Sequence, residues 1–204
     1  MTRFLILAAM LAASPALAHH PMDGAAPQTA FHGLLSGLAH PVIGLDHLAF
    51  IVLVGLAAAG AQRRTVGPGV FIGATLAGTF VHLAGVTLPL AEMVIAASVV
   101  VLGALLFHGR QVMGTVALAG FAFAGIFHGW TYGGAVIESA AMPILAYLLG
   151  FALIQFAIAA GVAWLASAAT GTAEGLIRAR AAAAVCLGVG LVFLVEQAEQ
   201  FALG

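Results

Sequence analysis

The chain has 204 residues, of which 63% are hydrophobic and only 6% are charged, and it contains no lysine. A soluble domain carries about 25% charged residues, so this chain cannot cover a water-exposed surface, and we expect a lipid bilayer to surround it. A formal net charge of −1 excludes the basic surface of a nucleic-acid-binding protein. The lone Cys186 lies in an apolar run, which excludes a disulfide framework and a thiolate metal cage.

The first 18 residues have the pattern of an export signal. A positively charged start precedes an apolar core at residues 4–11, and a small-residue cleavage site ends at Ala18. We expect cleavage there, which leaves residues 19–33 as a periplasmic tail. An uncleaved first helix is the alternative and would add one span. The histidines of the tail are candidates for capturing metal: His19, His20 and His32.

The rest of the chain, 34–204, is predicted to be a single all-α transmembrane domain. Six stretches are near the ~20 apolar residues that a spanning helix needs. They lie at about 34–60, 67–86, 88–107, 111–130, 142–168 and 181–202. The short links between them predict a compact antiparallel bundle.

Arginine placement predicts the orientation of this bundle. After removal of the signal, the arginines fall in the first, third and fifth links only. They are Arg63, Arg64, Arg110, Arg178 and Arg180. Cytoplasmic links carry the excess of positive charge, so six spans with both termini in the periplasm fit this pattern. The sequence therefore predicts a multi-pass protein of the bacterial inner membrane.

Small residues recur four positions apart, a spacing that lets membrane helices approach closely. We expect these pairs to pack the bundle. They are Gly33 with Gly37, Gly69 with Gly73, Ala74 with Gly78, and Gly129 with Gly133.

Ionisable side chains inside a membrane are costly and mark functional sites. The candidates for metal contact are His40, Asp46, His47, His82, His128 and Glu138, with Glu92, Tyr132 and Gln155 in supporting roles. Imidazole suits nickel, copper, zinc and iron, and carboxylates make the site harder. Glu92 and Glu138 lie at predicted helix ends, where contact with water would equally explain them.

The densest group reads His40-Pro41-Val42-Ile43-Gly44-Leu45-Asp46-His47. On a regular helix His40 and His47 share one stripe about 10 Å apart, and Asp46 points away from His40. A straight helix would therefore not gather all three around one ion. Pro41 and Gly44 favour a break in the first helix, which could bring the ligands together. The alternative is that each histidine is a hydrogen-bonded packing residue.

The second group reads Phe127-His128-Gly129-Trp130-Thr131-Tyr132-Gly133-Gly134. His128 and Tyr132 are one turn apart and share a helix face, whereas Trp130 fits an aromatic belt at the membrane interface. In the predicted topology, both groups lie between the outer surface and the midplane. That placement predicts an external vestibule that leads to a central site.

The pattern His40-Pro41-x-x-Gly44-x-Asp46-His47, with Val54-Gly55 after the following apolar run, resembles the first-helix signature of the HupE/UreJ family. Phe127-His128-Gly129 followed by Tyr132-Gly133 resembles the family's second motif. The likeness covers essentially the whole mature chain. It implies a small inner-membrane permease for nickel or cobalt, one that often serves hydrogenase or urease maturation. It also implies that four residues handle the metal: His40, Asp46, His47 and His128.

The chain departs from the family pattern in the second motif. Many members carry a second histidine where Tyr132 stands and an acidic residue where Gly134 or Ala135 stands. Glu138, about one turn later, is the candidate for that carboxylate. These departures bear on which metal the protein prefers.

We therefore predict a secondary transporter rather than an enzyme, with nickel or cobalt as substrate and no tightly bound cofactor. Expected partners are the metal ion, the bilayer and, by the resemblance, hydrogenase or urease maturation machinery, with no nucleic acid. The chain lacks a P-loop motif for ATP. Imidazole and carboxylate ligands alone would favour copper, so the choice of metal rests on the resemblance.

Two other functions are compatible with these residues. An intramembrane zinc hydrolase would use three histidines and an aspartate to hold the metal and activate water. A non-transporting membrane partner would deliver metal to an assembly complex or bind haem through paired histidines.

Overall fold

The computed structural model describes residues 26–112, 114–169 and 171–203. The predicted signal peptide, its cleavage site, His19 and His20 lie outside these ranges. Regular structure in the described residues is helical, which confirms the predicted class. The helices are α1 (Ala30–Ile43), α2 (Leu45–Ala58), α3 (Val66–Leu83), α4 (Ala91–Phe107), α5 (Gly114–Gly133), α6 (Ala141–Ala169) and α7 (Ala173–Leu203), with a 3-10 turn at Gly134–Val136.

Three of the described helices, α3, α6 and α7, are long and apolar enough to cross a membrane. The pair α1–α2 provides a fourth if it is one bent span. Helix α4 is apolar but has 17 residues, and α5 has 20 residues and carries the polar second motif at its end. The chain is thus a helical membrane protein, while the count of six spans stays a prediction that also needs α4 and α5.

Two predicted boundaries differ from the observed ones because capping residues start each helix earlier. The Thr29 side-chain oxygen accepts a hydrogen bond from the His32 backbone N–H at 3.1 Å, so His32 belongs to the first turn of α1 and not to a tail. Before α7, the Thr172 hydroxyl accepts from the Gly175 backbone N–H at 3.0 Å. Helix α7 therefore begins well before the predicted residue 181, and Arg178 lies inside it.

Helices α1 and α6 pack through glycines and run in the same direction. A Cβ on Gly33 would collide with the backbone of Pro143, and a Cβ on Gly37 with that of Tyr147. The predicted contact role of this pair of glycines is confirmed. The contact residues rise in number along both helices, from Gly33 to Gly37 and from Pro143 to Tyr147, so α1 and α6 are parallel.

Helices α3 and α5 pack in the same way. A Cβ on Gly129 would collide with the carbonyl group of Thr75, and a Cβ on Gly133 with the side chain of His82. Gly78 likewise lies against the α5 backbone at Ile126. The two helices are therefore parallel, and the predicted packing of these small residues is confirmed.

Helices α4 and α7 form the third pair, in which Gly103 lies against Leu187 and Gly190 against Val99. The residue numbers of the contacts rise along α4 while they fall along α7, so this pair is antiparallel. The expected contact of Gly69 and Gly73 was wrong, since a Cβ at either position would meet nothing within 4 Å.

A buried apolar layer fills the centre of the bundle, where α2 meets α3, α4 and α5. Its large side chains are each at most 5% exposed: Phe50, Ile51, Leu53, Val54, Phe71, Val99, Leu102 and Phe121. Two of them, Phe50 and Phe71, contact the ring of His128. The polar groups of the candidate site therefore rest directly on this apolar layer.

Candidate metal site

The site begins at the break between α1 and α2, whose axes differ by 78°. Gly44 is the single residue between the two helices, and its extended backbone (φ −71°, ψ 99°) ends α1 while its N–H donates to the His40 carbonyl oxygen at 3.1 Å. The predicted break in the first helix is confirmed. It occurs at Gly44, whereas Pro41 lies inside α1.

Five buried ring side chains meet beside this break. They form the histidine–tyrosine cluster, which comprises His40, His47, His128, Tyr132 and Tyr147. The His47 ring lies 6.3 Å from His40, 5.0 Å from His128 and 4.5 Å from Tyr132, measured between ring centroids. The two sequence motifs, more than 80 residues apart, therefore contribute to one site.

The hydrogen bonds of the cluster hold both nitrogens of the His128 ring. Its Nε2 lies 3.1 Å from the Ser98 hydroxyl, which donates to the Ile95 carbonyl oxygen at 2.6 Å. Its Nδ1 lies 2.8 Å from Nδ1 of His47, so one of these two nitrogens donates and the other accepts.

His47 is held at both nitrogens of its ring. Besides the contact of its Nδ1 with His128, its Nε2 lies 3.4 Å from the Thr131 hydroxyl, which donates to the His128 carbonyl oxygen at 2.9 Å. The contact at Nε2 is the longer and weaker of the two, so a metal ion would replace it more readily.

Tyr147 holds His40 in a similar way. Its hydroxyl lies 3.2 Å from the Tyr132 carbonyl oxygen and 2.9 Å from Nδ1 of His40. Both histidines of the first motif are therefore held through Nδ1.

The spacing of His40 and His47 matches two ligands of one ion. A ligating imidazole nitrogen lies about 2.0–2.1 Å from such a metal, so two ring centroids bound to the same ion can be at most about 6.4 Å apart. The observed separation is 6.3 Å. An ion shared by both would therefore lie almost on the line that joins the two rings, and a nitrogen of each ring would have to face it.

Asp46 places a carboxylate beside these rings. It is 2% exposed and stands in the first turn of α2, where Oδ1 accepts from the His47 backbone N–H at 2.8 Å. The N-cap residue Gly44 provides no side-chain cap, so Asp46 performs that role. The positive end of the helix dipole stabilises the carboxylate there, and its charge lies next to His47.

The other candidates lie around the cluster rather than in it. His82 packs on Trp130 with ring centroids 4.6 Å apart, and Glu92 and Glu138 are exposed. Gln155 is fully buried and ties α6 to α3, with Nε2 3.5 Å from the Thr75 hydroxyl and 3.1 Å from the Phe151 carbonyl.

The expected grouping of His40, Asp46 and His47 around one ion is not formed in this arrangement. Across the ranges that the structure describes, no three histidine, cysteine, aspartate or glutamate side chains are placed to hold an ion together. The geometry is that of two adjustable imidazoles with a carboxylate nearby. Such a site suits transient binding better than a closed structural cage, which holds its metal through four fixed ligands.

Ser98, Thr131 and Tyr147 were missed as site residues. Each is a hydroxyl side chain within an apolar stretch, and Tyr147 is one of only two tyrosines in the chain. An uncharged hydroxyl costs less to bury than an ionised group, so its presence in a spanning segment is a weaker signal. The rarity of tyrosine was the one indication that the sequence offered.

Comparison with known proteins identifies the family of the chain. The family described as HupE / UreJ protein matches residues 7–193. Protein HupE of Rhizobium leguminosarum bv. viciae is 33% identical over 103 residues, which cover 50% of this chain and 54% of that protein. The match thus spans about half the length of that curated relative. No solved structure matches the chain. On the extent of the family match, the chain belongs to the HupE/UreJ family.

Proposed function

We propose that the protein is a secondary transporter that takes up nickel or cobalt across the bacterial inner membrane. The observation that supports this most directly is the pair of buried imidazoles, His40 and His47, whose ring centroids lie 6.3 Å apart next to the buried Asp46 carboxylate. Membership of the HupE/UreJ family supports the choice of metal, and hydrogenase or urease maturation machinery is the expected recipient.

The chemistry of the site meets the two demands of transport. A transported ion must bind strongly enough to lose its water and weakly enough to leave again. Two imidazoles and the Asp46 carboxylate provide donors of intermediate hardness, and no thiolate lies in the described site to trap the ion. Asp46 also supplies negative charge that offsets the charge of a divalent cation.

The directions of the helix pairs support six spans with both termini on the same side of the membrane, and the arginine placement favours the periplasm. If α1–α2 is the first span and each later helix is one span, α1 and α6 are the first and fifth, α3 and α5 the second and fourth, and α4 and α7 the third and sixth. Helices that cross in the same direction must be parallel. The first two pairs are parallel and the third is antiparallel, as alternate crossing requires.

In this orientation the site lies toward the periplasmic side, close to the ends of α3 and α5 and the start of α6. Cleavage after Ala18 would leave His19 and His20 on that same side, where they would capture metal before it reaches His40. His82, Glu92 and Glu138 would line the approach. The protein would work without a tightly bound cofactor, and it would not be an enzyme.

Uptake of radioactive nickel and cobalt into cells without their own importers tests the proposal. The wild-type protein is compared with Asp46→Asn and His47→Ala at matched abundance in the membrane. We expect both substitutions to abolish uptake because one removes the charge and the other a ligand. Tyr132→Phe, which removes a hydroxyl group but no expected ligand, should give a weaker effect.

Normal transport by His47→Ala would show that the central site has been misplaced. Absence of nickel and cobalt uptake by the wild-type protein, when it is correctly inserted, would instead favour metal delivery or zinc hydrolysis. Metal analysis of the purified protein would then distinguish those two functions, because a hydrolase would retain zinc through three ligands.

A further inference from the structure

A groove of about 930 Å³ runs along the contact between α4 and α5. Its walls are apolar and include Val101 and Leu105 of α4 and Val116 and Phe123 of α5, which are 40–87% exposed. Gly120 leaves part of the groove open, since a Cβ there would meet nothing within 4 Å. The groove therefore faces the surroundings of the bundle rather than its interior.

The two ends of the groove differ in chemistry. The inner end is formed by Phe50 and Ser98, both of which contact His128. The outer end is formed by Arg110 and Gln111 in the link between the helices. The groove thus leads from a polar mouth to the wall of the metal site.

The length of the groove corresponds to one membrane leaflet. Ser98 and Phe107 are nine residues apart on α4, a rise of about 14 Å. The hydrocarbon core of a bilayer is about 30 Å thick, so one leaflet is about 15 Å. A lipid chain that enters at the mouth would therefore reach the level of Ser98.

The mouth carries positive charge that the protein does not neutralise. The guanidinium of Arg180 lies against Gly109, next to Arg110, and both arginines are exposed. Within the described residues, the ion pair joins Arg178 to Glu174, and neither Arg110 nor Arg180 has a carboxylate within bonding distance. Guanidinium groups hold phosphate through paired hydrogen bonds.

The same features argue against the groove as a path for the metal. Its walls offer few oxygen or nitrogen atoms to replace the water of a divalent cation, and Arg110 at the mouth would repel it. A molecule with an anionic group and a long apolar tail fits both parts of the groove, because the anion would pair with the arginines at the mouth and the tail would contact the apolar walls.

We infer that this groove binds one acyl chain of an anionic glycerophospholipid of the bilayer, with the lipid phosphate at Arg110, Gln111 and Arg180. Basic pockets between membrane helices bind anionic headgroups in this way. The bound chain would seal the α4–α5 seam beside His128. The inference depends on the membrane location of the protein and not on which metal it transports.

Native mass spectrometry of the full-length protein, stripped of lipid in a neutral detergent, tests the inference. Phosphatidylglycerol and phosphatidylcholine with the same chains are added at equal concentrations. We expect the wild-type protein to prefer phosphatidylglycerol, and Arg110→Gln to lower that preference about fivefold. Gly120→Leu should reduce binding of both lipids because the new side chain fills the groove.

Each variant has a matched control. Arg64→Gln removes an exposed arginine from another link, and Gly73→Leu fills open space on α3, so both should bind lipid like the wild type. Equal binding of the two lipids by the wild-type protein would overturn the inference, as would an equal loss in the controls. A dimer that Gly120→Leu converts to a monomer would also overturn it, since a second copy would then cover the groove. If Gly120→Leu does not fold, the exposed Arg110→Gln still decides the question.

Discussion

The histidine–tyrosine cluster and the apolar layer beside it share helices α2 and α5 but differ in almost every other respect. Helix α2 contributes His47 to the cluster and Leu53 and Val54 to the layer. The chain breaks at Gly44 in the first region, whereas α2 continues unbroken through the second. Buried hydrogen-bonding side chains connect the cluster, while large side chains without polar atoms fill the layer.

Because of this difference, the metal ion can bind in the cluster but cannot cross the apolar layer as it stands. The cluster offers nitrogen and oxygen atoms to a metal, but the adjoining layer offers none in its buried large side chains, such as Phe50 and Phe71. A divalent cation would lose its water there without compensation, at a cost of several kcal/mol or more. Uptake therefore requires the helices or side chains of the layer to move, whereas binding involves the polar side chains of the cluster.

The largest effect is expected at Gly129, which holds α3 against α5 at the level of the cluster. In Gly129→Ala the new Cβ would collide with the Thr75 carbonyl. The helices would have to separate, at a cost of roughly 1–3 kcal/mol or more. We expect a marked loss of folded protein, measured as abundance in the membrane and as melting temperature after purification.

Gly73→Ala is the matched control, because it lies on α3 and its new Cβ would meet nothing within 4 Å. Its abundance should equal or exceed that of the wild type, since alanine favours a helix over glycine. Equal abundance of Gly129→Ala and Gly73→Ala would mean that close contact at Gly129 is not what joins the two helices.

A smaller effect is expected for substitution of Ser98. Its hydroxyl contacts His128, and His128 in turn contacts the expected ligand His47. Ser98→Ala removes the hydrogen-bonding partner of Nε2 of His128, so the His128 ring can turn away from Nδ1 of His47. Loss of a group that orients a metal ligand typically costs 10–100-fold in affinity or activity. We expect the metal concentration for half-maximal uptake to rise about tenfold, with membrane abundance unchanged.

Ser167→Ala provides a comparison, because Ser167 is an exposed serine near the end of α6, far along the chain from the cluster residue Tyr147. It should leave uptake unchanged. A fall in maximal rate for Ser98→Ala, without a change in the half-maximal metal concentration, would contradict the positioning role.

The sequence predicted the groups of the site better than their geometry. Pro41 and Gly44 correctly predicted a broken first helix, because backbone chemistry is local. The partnership of His128 with Ser98 and of His40 with Tyr147 was not predictable, since it depends on how α4 and α6 are rotated in the bundle. Hydrogen-bonding side chains indicate that a partner exists but not which residue it is.

The glycine pairs show the same limit. Gly33 with Gly37 and Gly69 with Gly73 have identical spacing, yet the first pair meets the α6 backbone and the second faces open space. Spacing defines a smooth helix face, but only the neighbouring helices decide whether that face is used. The all-helical class could be predicted from composition alone, because a chain this apolar must satisfy its backbone hydrogen bonds internally.

The smallest effect is expected at His108, the histidine on the opposite side of the apolar layer. Its side chain is exposed after the end of α4, and its ring lies 5.3 Å from that of Phe107. His108→Ala should leave nickel and cobalt uptake within about twofold of wild type, because a solvated imidazole outside the cluster contributes little binding energy. A large loss of uptake would show that the ion needs another ligand after it passes the apolar layer. The exit side would then also contain a polar binding site, and the contrast between the cluster and the rest of the path would be wrong.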